Sequence, residues 1–154
     1  MDVRLTPEQL ELKETARRFV RNKLPAVAEH YENSNTPPSR ELIREFAEMG
    51  FLAIDEPEQP GGLGLGNLEA LLILEQFAQI SSAVAFRIFE SCVGPVRAIG
   101  HFGNDTLEQA VAPAVCRGEK VVAGAMAEPA AGSALTDLMT RASAMAGRRF
   151  DQRR

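Results

Sequence analysis

The sequence predicts an all-α domain of about five or six closely packed, antiparallel helices, with a short β extension at its C-terminal end. Three observations predict it. Apolar residues recur at three- and four-residue steps along the chain to about residue 118. N-capping patterns stand at the start of these runs. Beyond residue 118 the helical spacing ends in a β-branched run, KVVAGAMA.

The first helix starts at Thr6, followed by Pro7 and then Gln9, which completes a capping box. Leu12, Ala16, Phe19, Val20 and Leu24 form its inward stripe. Pro25 is expected to interrupt it before it resumes to about Tyr31, and Asn33 to Pro38 reads as a loop. Ser39 caps a second helix carrying Leu42, Ile43, Phe46 and Ala47, which stops at Gly50. The run DEPEQPGGLGLG is an irregular loop, after which Asn67 is expected to cap a third helix with Leu68, Leu71, Leu72, Glu75 and Phe77. Ser82 to Ile99 is apolar on most sides, with a kink expected at Gly94-Pro95. Asp105 and Glu108 suggest a capping box for a fifth helix ending near Gly118, with Pro113 marking a bend or an early stop. Lys120 to Ala127 reads as a strand and EPAAGS as a turn, so the expected division is a helical domain over 1–118, the start of a β domain over 119–142, and an Arg-rich tail over 143–154.

Composition narrows the function classes. The chain has 154 residues, 45% of them hydrophobic and 25% charged, which suits a globular domain and argues against disorder. A net charge of −4 disfavours a nucleic-acid surface. No apolar run reaches the length of a membrane span and the start MDVRLTPEQL has no secretory h-region, so a cytoplasmic location is expected. Residues 143–154 are locally +3, leaving −7 on the remainder. Cys92 and Cys116 have no C-x-x-C partner and read as buried thiols rather than a zinc site or a disulfide.

Candidate chemistry is sparse. PGGLGLG lacks the spacing of a nucleotide-binding fingerprint and follows no strand, so it reads as a flexible glycine connection. His30 and His101 are isolated and suit helix-end or surface roles. The acidic residues are scattered as on a solvated face, and no metal or catalytic set emerges. GAMAEPAAGS stands apart. Small residues around a sharp Glu128-Pro129 turn would let a ligand approach the backbone, with successive N–H groups and the Ser133 hydroxyl as donors. On these residues alone a plain turn is the favoured reading.

Three ordered blocks then carry a family resemblance over residues 5 to about 142. They are LTPEQLELKETARRFVRNKLPAVA, LIREFAEMGFLAIDEPEQPGGLGLGNLEALLILEQFA and HFGNDTLEQAVAPAVCRGEKVVAGAMAEPAAGSALTDLMTRA. Together they resemble the acyl-CoA dehydrogenases. The resemblance implies an N-terminal helical domain followed by a middle β domain and a C-terminal helical bundle, with FAD as cofactor. It implies an acyl-CoA substrate, from which a carboxylate takes the α proton while the β hydrogen leaves as hydride to flavin N5, and an electron-transferring flavoprotein as electron acceptor. By position, Gly124, Ala125, Met126, Ala127, Glu128, Pro129, Ala130, Ala131, Gly132 and Ser133 match the stretch bordering the flavin. Met126 would touch the flavin through its backbone, Ser133 would lie near both cofactor and substrate, and the helix around Ser82 to Val96 would wall the acyl pocket.

The departures are specific. Ala127 stands where the family usually has a threonine that donates to the isoalloxazine, and Ala134 where it usually has an aspartate. The family's carboxylate base, the rest of its β domain and its C-terminal bundle correspond to positions beyond residue 154, so no acid here is assigned that role. After Ala142 the family pattern is lost, and 14 Arg against 3 Lys suggests GC-rich codons. A frameshift, a premature stop, a split subunit and an ordinary basic tail all fit that end. The expectation is therefore a truncated flavin-binding half, inactive alone, or else a non-catalytic helical subunit derived from the family. An exposed KVVAGAMA edge would favour a homo- or hetero-oligomer.

Overall fold

The computed structural model describes residues 4–59, 61–145 and 148–152. Among these residues lie six α-helices: α1 (Pro7–Ser34), α2 (Arg40–Glu48), α3 (Asn67–Ala78), α4 (Ser82–Ser91), α5 (Pro95–Phe102) and α6 (Asp105–Cys116). An antiparallel hairpin follows, β1 (Arg141–Met145) and β2 (Arg148–Gln152), with Arg141 opposite Gln152 and Ser143 opposite Phe150. The chain divides into two compact units, Met1–Ala123 and Gly124–Arg154.

Local chemistry explains the helix starts. The Thr6 hydroxyl accepts the Gln9 N–H at 3.2 Å, and the Gln9 side chain accepts the Thr6 N–H at 2.9 Å, so the capping box is complete. Ser39 accepts the Leu42 N–H at 3.2 Å. Two caps lie one residue earlier than the sequence suggests. Gly66, not Asn67, caps α3, and the Glu69 carboxylate accepts its N–H at 3.0 Å. Asn104, not Asp105, caps α6 by accepting the Leu107 N–H at 2.9 Å, which leaves Asp105 and Glu108 in the first turn beside the helix dipole.

Three further expectations are corrected. Pro25 does not interrupt α1, which runs unbroken for 28 residues. The proline removes the bond to the Arg21 carbonyl, but Leu24, Val27 and Tyr31 still pack against the core and keep the following turns aligned. Gly94-Pro95 is a break rather than a kink, separating α4 from α5. Pro113 neither stops nor shortens α6, which runs on to Cys116.

The core belongs to the helical unit. Ala16, Val20 and Leu24 of α1, Leu42, Ile43 and Phe46 of α2, and Ala70, Ile73 and Phe77 of α3 are buried together. Leu68 and Leu71 of α3 instead face solvent. Phe19, Phe46, Phe51 and Phe77 interlock, with the Phe46–Phe77 and Phe51–Phe77 centroids 5.2 and 5.3 Å apart in edge-to-face geometry.

The glycine loop before α3 is bonded rather than loose. The Leu63 N–H donates to the Ala53 carbonyl, Gly64 to Glu56 and Leu65 to Ile54, all at 2.8–2.9 Å. A side chain at Gly62 would strike the Glu56 carbonyl. Pro60 lies outside the described residues.

The expected strand at Lys120–Ala127 is not formed. These residues have no ladder partner among the described residues, and a lone apolar run cannot make a sheet. The ladder that does form crosses the expected boundary at 142/143 and uses backbone read from the sequence as tail. Of that tail, residues 146, 147, 153 and 154 lie outside the described residues.

Candidate functional site

The segment singled out by the sequence lies in the second unit. Val121–Ala127 is irregular and solvent-facing, except for half-buried Val122, and Met126 is 65% exposed. Among the described residues, none of the backbone N–H groups from Gly124 to Ala127 has a hydrogen-bond partner. These N–H groups are available as donors.

The chain then turns sharply. The Glu128 N–H donates to the Ala131 carbonyl at 2.8 Å and the Ala131 N–H returns to the Glu128 carbonyl at 3.1 Å, with Pro129 and Ala130 at the corner. The Glu128 carboxylate accepts the Met139 N–H at 2.9 Å and the Thr140 N–H at 2.7 Å, closing the loop. Charge-assisted bonds of this kind are the strong ones. Ala131 is buried, whereas Gly132 has no atom within 4 Å of the position a Cβ would take. Ser133 is exposed and its carbonyl accepts the Leu135 N–H at 3.2 Å. A single 3-10 turn follows at Leu135–Asp137.

Of the predicted residues, Gly124 to Ala127 form an exposed strip, and Glu128 to Ala131 form the turn that ends it. Sequence reasoning missed the part played by Glu128. Its place before a proline gave a corner but no sign that its carboxylate would hold backbone eleven and twelve residues on. The only titratable group between Gly124 and Ser133 is therefore engaged as an acceptor, and the strip can donate hydrogen bonds but not remove a proton.

The helical unit carries a separate apolar feature between α3 and α4. Leu71, Leu74 and Ala78 of α3 and Ala85, Phe86 and Phe89 of α4 line a groove of about 380 Å³. The rings of Phe86 and Phe89 meet edge to face at 5.7 Å.

The remaining candidates carry no chemistry. His30 sits late in α1 against the Tyr31 ring, and His101 lies in α5 beside Phe102. Cys92 and Cys116 are buried free thiols, as the sequence suggests. Burial pushes the Cys92 thiol up to about 12, so it stays protonated and unreactive, and burial pushes Cys116 up as well. Among the described residues no cluster of His, Cys, Asp or Glu could hold a metal, and no helix is long and apolar enough to cross a membrane.

The decisive comparison is with a family model. Residues 6–119 match the acyl-CoA dehydrogenase N-terminal domain. The chain belongs to the acyl-CoA dehydrogenase family. It is 32% identical over 139 residues to the mitochondrial isovaleryl-CoA dehydrogenase of Bos taurus, a match covering 90% of this chain and 33% of that one. Among solved structures it resembles a glutaryl-coenzyme A dehydrogenase in complex with glutaryl-CoA, at a TM-score of 0.83 and 28% identity over 92% of this chain and 36% of that one. It also resembles an acyl-CoA dehydrogenase complexed with FAD from Bacillus anthracis, at a TM-score of 0.78 and 29% identity over 90% of this chain and 23% of that one. The chain spans about a third of the length of the curated relatives it matches.

Proposed function

We propose that this chain is the N-terminal, flavin-facing part of an FAD-dependent acyl-CoA dehydrogenase, and that it is inactive alone. The observation that carries the reading is the exposed run Gly124, Ala125, Met126 and Ala127, whose backbone N–H groups have no partner among the described residues, leading into the Glu128-Pro129 turn of a chain belonging to this family. Such a run fits the edge of an isoalloxazine, whose heteroatoms accept hydrogen bonds. In this assignment the backbone of Met126 orients the ring. Glu128, through Met139 and Thr140, holds the turn that presents the strip, and Pro129, Ala130, Ala131 and Gly132 add little bulk beside it. Ser133 serves both cofactor and thioester, and the Leu71–Phe89 groove forms part of the acyl wall. Bound FAD would supply the hydride acceptor for α,β-dehydrogenation of an acyl-CoA, and an electron-transferring flavoprotein would then receive the electrons.

No residue of this chain takes the role of the α-proton base. General-base catalysis contributes roughly 10²–10⁴-fold, so acyl-CoA-dependent dye reduction by the chain alone is expected to be absent. Turnover in that assay would overturn the inactivity. Ala127 and Ala134 favour a second reading, a non-catalytic helical subunit of the family that associates with another chain and has let cofactor contacts go.

Titration with FAD, followed by visible absorption, separates the two readings. Uptake of flavin supports the first and a colourless chain that ignores FAD supports the second. The variant Ala127→Thr, which restores a hydroxyl donor, is expected to tighten FAD binding by about two- to tenfold, since a net hydrogen bond contributes roughly 0.5–1.5 kcal/mol.

A further inference from the structure

Asp55 and Glu56 lie in the glycine loop as ordinary acidic residues of the sequence, yet both are buried. The Asp55 side chain is 2% exposed and Glu56 is 5% exposed. Among the described residues one cation contacts Asp55. Arg97 of α5 donates from Nη1 to Asp55 Oδ2 at 3.3 Å, and the same nitrogen donates to Asn67 Oδ1 of α3 at 2.5 Å. That guanidinium is 40% exposed, so its charge is shared with solvent and with a second acceptor. Asp55 Oδ1 is buried with no hydrogen-bond partner among the described residues. Glu108 of α6 adds a further negative charge facing Glu56, while the nearby thiols of Cys92 and Cys116 are neutral.

Two carboxylates against one half-solvated guanidinium leave a buried negative charge uncompensated, an expensive arrangement in a protein interior. We propose that Asp55, Glu56 and Arg97 form a proton-linked clasp between the glycine loop and α5, in which one of the two buried carboxyl groups must carry a proton for Arg97 to balance the remaining charge. With that proton present, Arg97 balances the single remaining charge and the loop stays drawn to α5. When it leaves, the second buried carboxylate stands without a counter-charge and the folded state loses stability.

The direction of titration agrees with the geometry. Burial raises both carboxyl groups above their ordinary range, and Asp55 and Glu108 raise Glu56 further, against the lowering effect of Arg97. The unfolded chain binds fewer protons here than the folded one. The stability from this proton is therefore full below the ordinary carboxylate range and is lost as pH rises through the raised folded values.

Urea unfolding of the 154-residue chain from about pH 5 to about pH 8 tests this. Wild-type stability is expected to fall with rising pH by up to about tenfold in the folding constant per pH unit, the slope of one linked proton. Glu56→Gln, which keeps the shape and removes the charge, should flatten that fall and be the more stable protein at the alkaline end. Arg97→Gln should move the fall to higher pH, because the pair then holds its proton more tightly. Infrared absorption of the wild type gives a reading that needs no variant to fold, since a protonated carboxyl band should persist to higher pH in the folded chain than in the urea-unfolded chain. Equal pH slopes in wild type and Glu56→Gln, or a band lost at the same pH in the folded and unfolded chain, would overturn the clasp.

Discussion

Two apolar stretches of this chain meet opposite ends. NLEALLILEQFA becomes α3, whose Ala70, Ile73 and Phe77 are fully buried. KVVAGAMA, no less apolar, lies open to solvent with Met126 at 65% exposure. Their composition does not separate them. α3 satisfies its own backbone and needs only a packing surface, which α1 and α4 provide. An extended run needs a second strand to satisfy its backbone, and none of the described residues supplies one. An unsatisfied strip is poor material for a core and good material for holding a polar ring.

That contrast is broken or sharpened by a graded set of substitutions. The largest effect is expected from Phe77→Ala, which removes the ring shared by Phe46 and Phe51 and should cost about 3–5 kcal/mol in urea unfolding. A loss below about 1 kcal/mol would mean that the helical unit is not held by that cluster. Glu128→Gln comes next. It should weaken closure of the turn by about 1–3 kcal/mol, read as faster amide exchange at Met139 and Thr140. The helical unit should melt as before, and a matching fall in its own stability would erase the distinction between the regions. Ser39→Ala removes the α2 cap and is expected to cost about 1 kcal/mol in the same unfolding assay. Met126→Ala should change stability by less than about 0.5 kcal/mol while altering FAD binding little, because the proposed contact is through its backbone.

Much of the helical unit was legible from local signals. Thr6 with Gln9, and Ser39, announced their helices because a cap is a short-range device readable within four residues. The displaced caps at Gly66 and Asn104 show the limit, since neighbouring residues compete for one role and only backbone geometry decides between them. Whether Pro25 breaks a helix depends on what grips the turns beyond it, which no local pattern records. The hairpin escaped notice for a related reason. Arg141–Met145 alternates polar and apolar over only four residues and Arg148–Gln152 carries a single apolar residue, a pattern too short to mark a strand pair. In the candidate site, the sequence marked Gly124 to Ala127 as the end of a strand leading into a Glu-Pro turn, whereas the run is irregular because no described residue supplies the partner strand. Burial of Asp55 and Glu56 was not legible, because acidic residues in a glycine-rich stretch read as surface.

Gly62 and Gly132 show how differently two glycines can limit what the chain tolerates. At Gly132 nothing stands where a side chain would go, so alanine or serine should enter without displacing a neighbour. At Gly62 the Glu56 carbonyl already occupies that space. Since Glu56 also accepts from Gly64, a side chain at position 62 would pry apart the loop that buries two acids. In a library of random variants, position 62 should therefore return almost nothing but the parent residue, while position 132 should return a broad spectrum. Selection for foldability alone would then make a silent structural glycine look like a functional one.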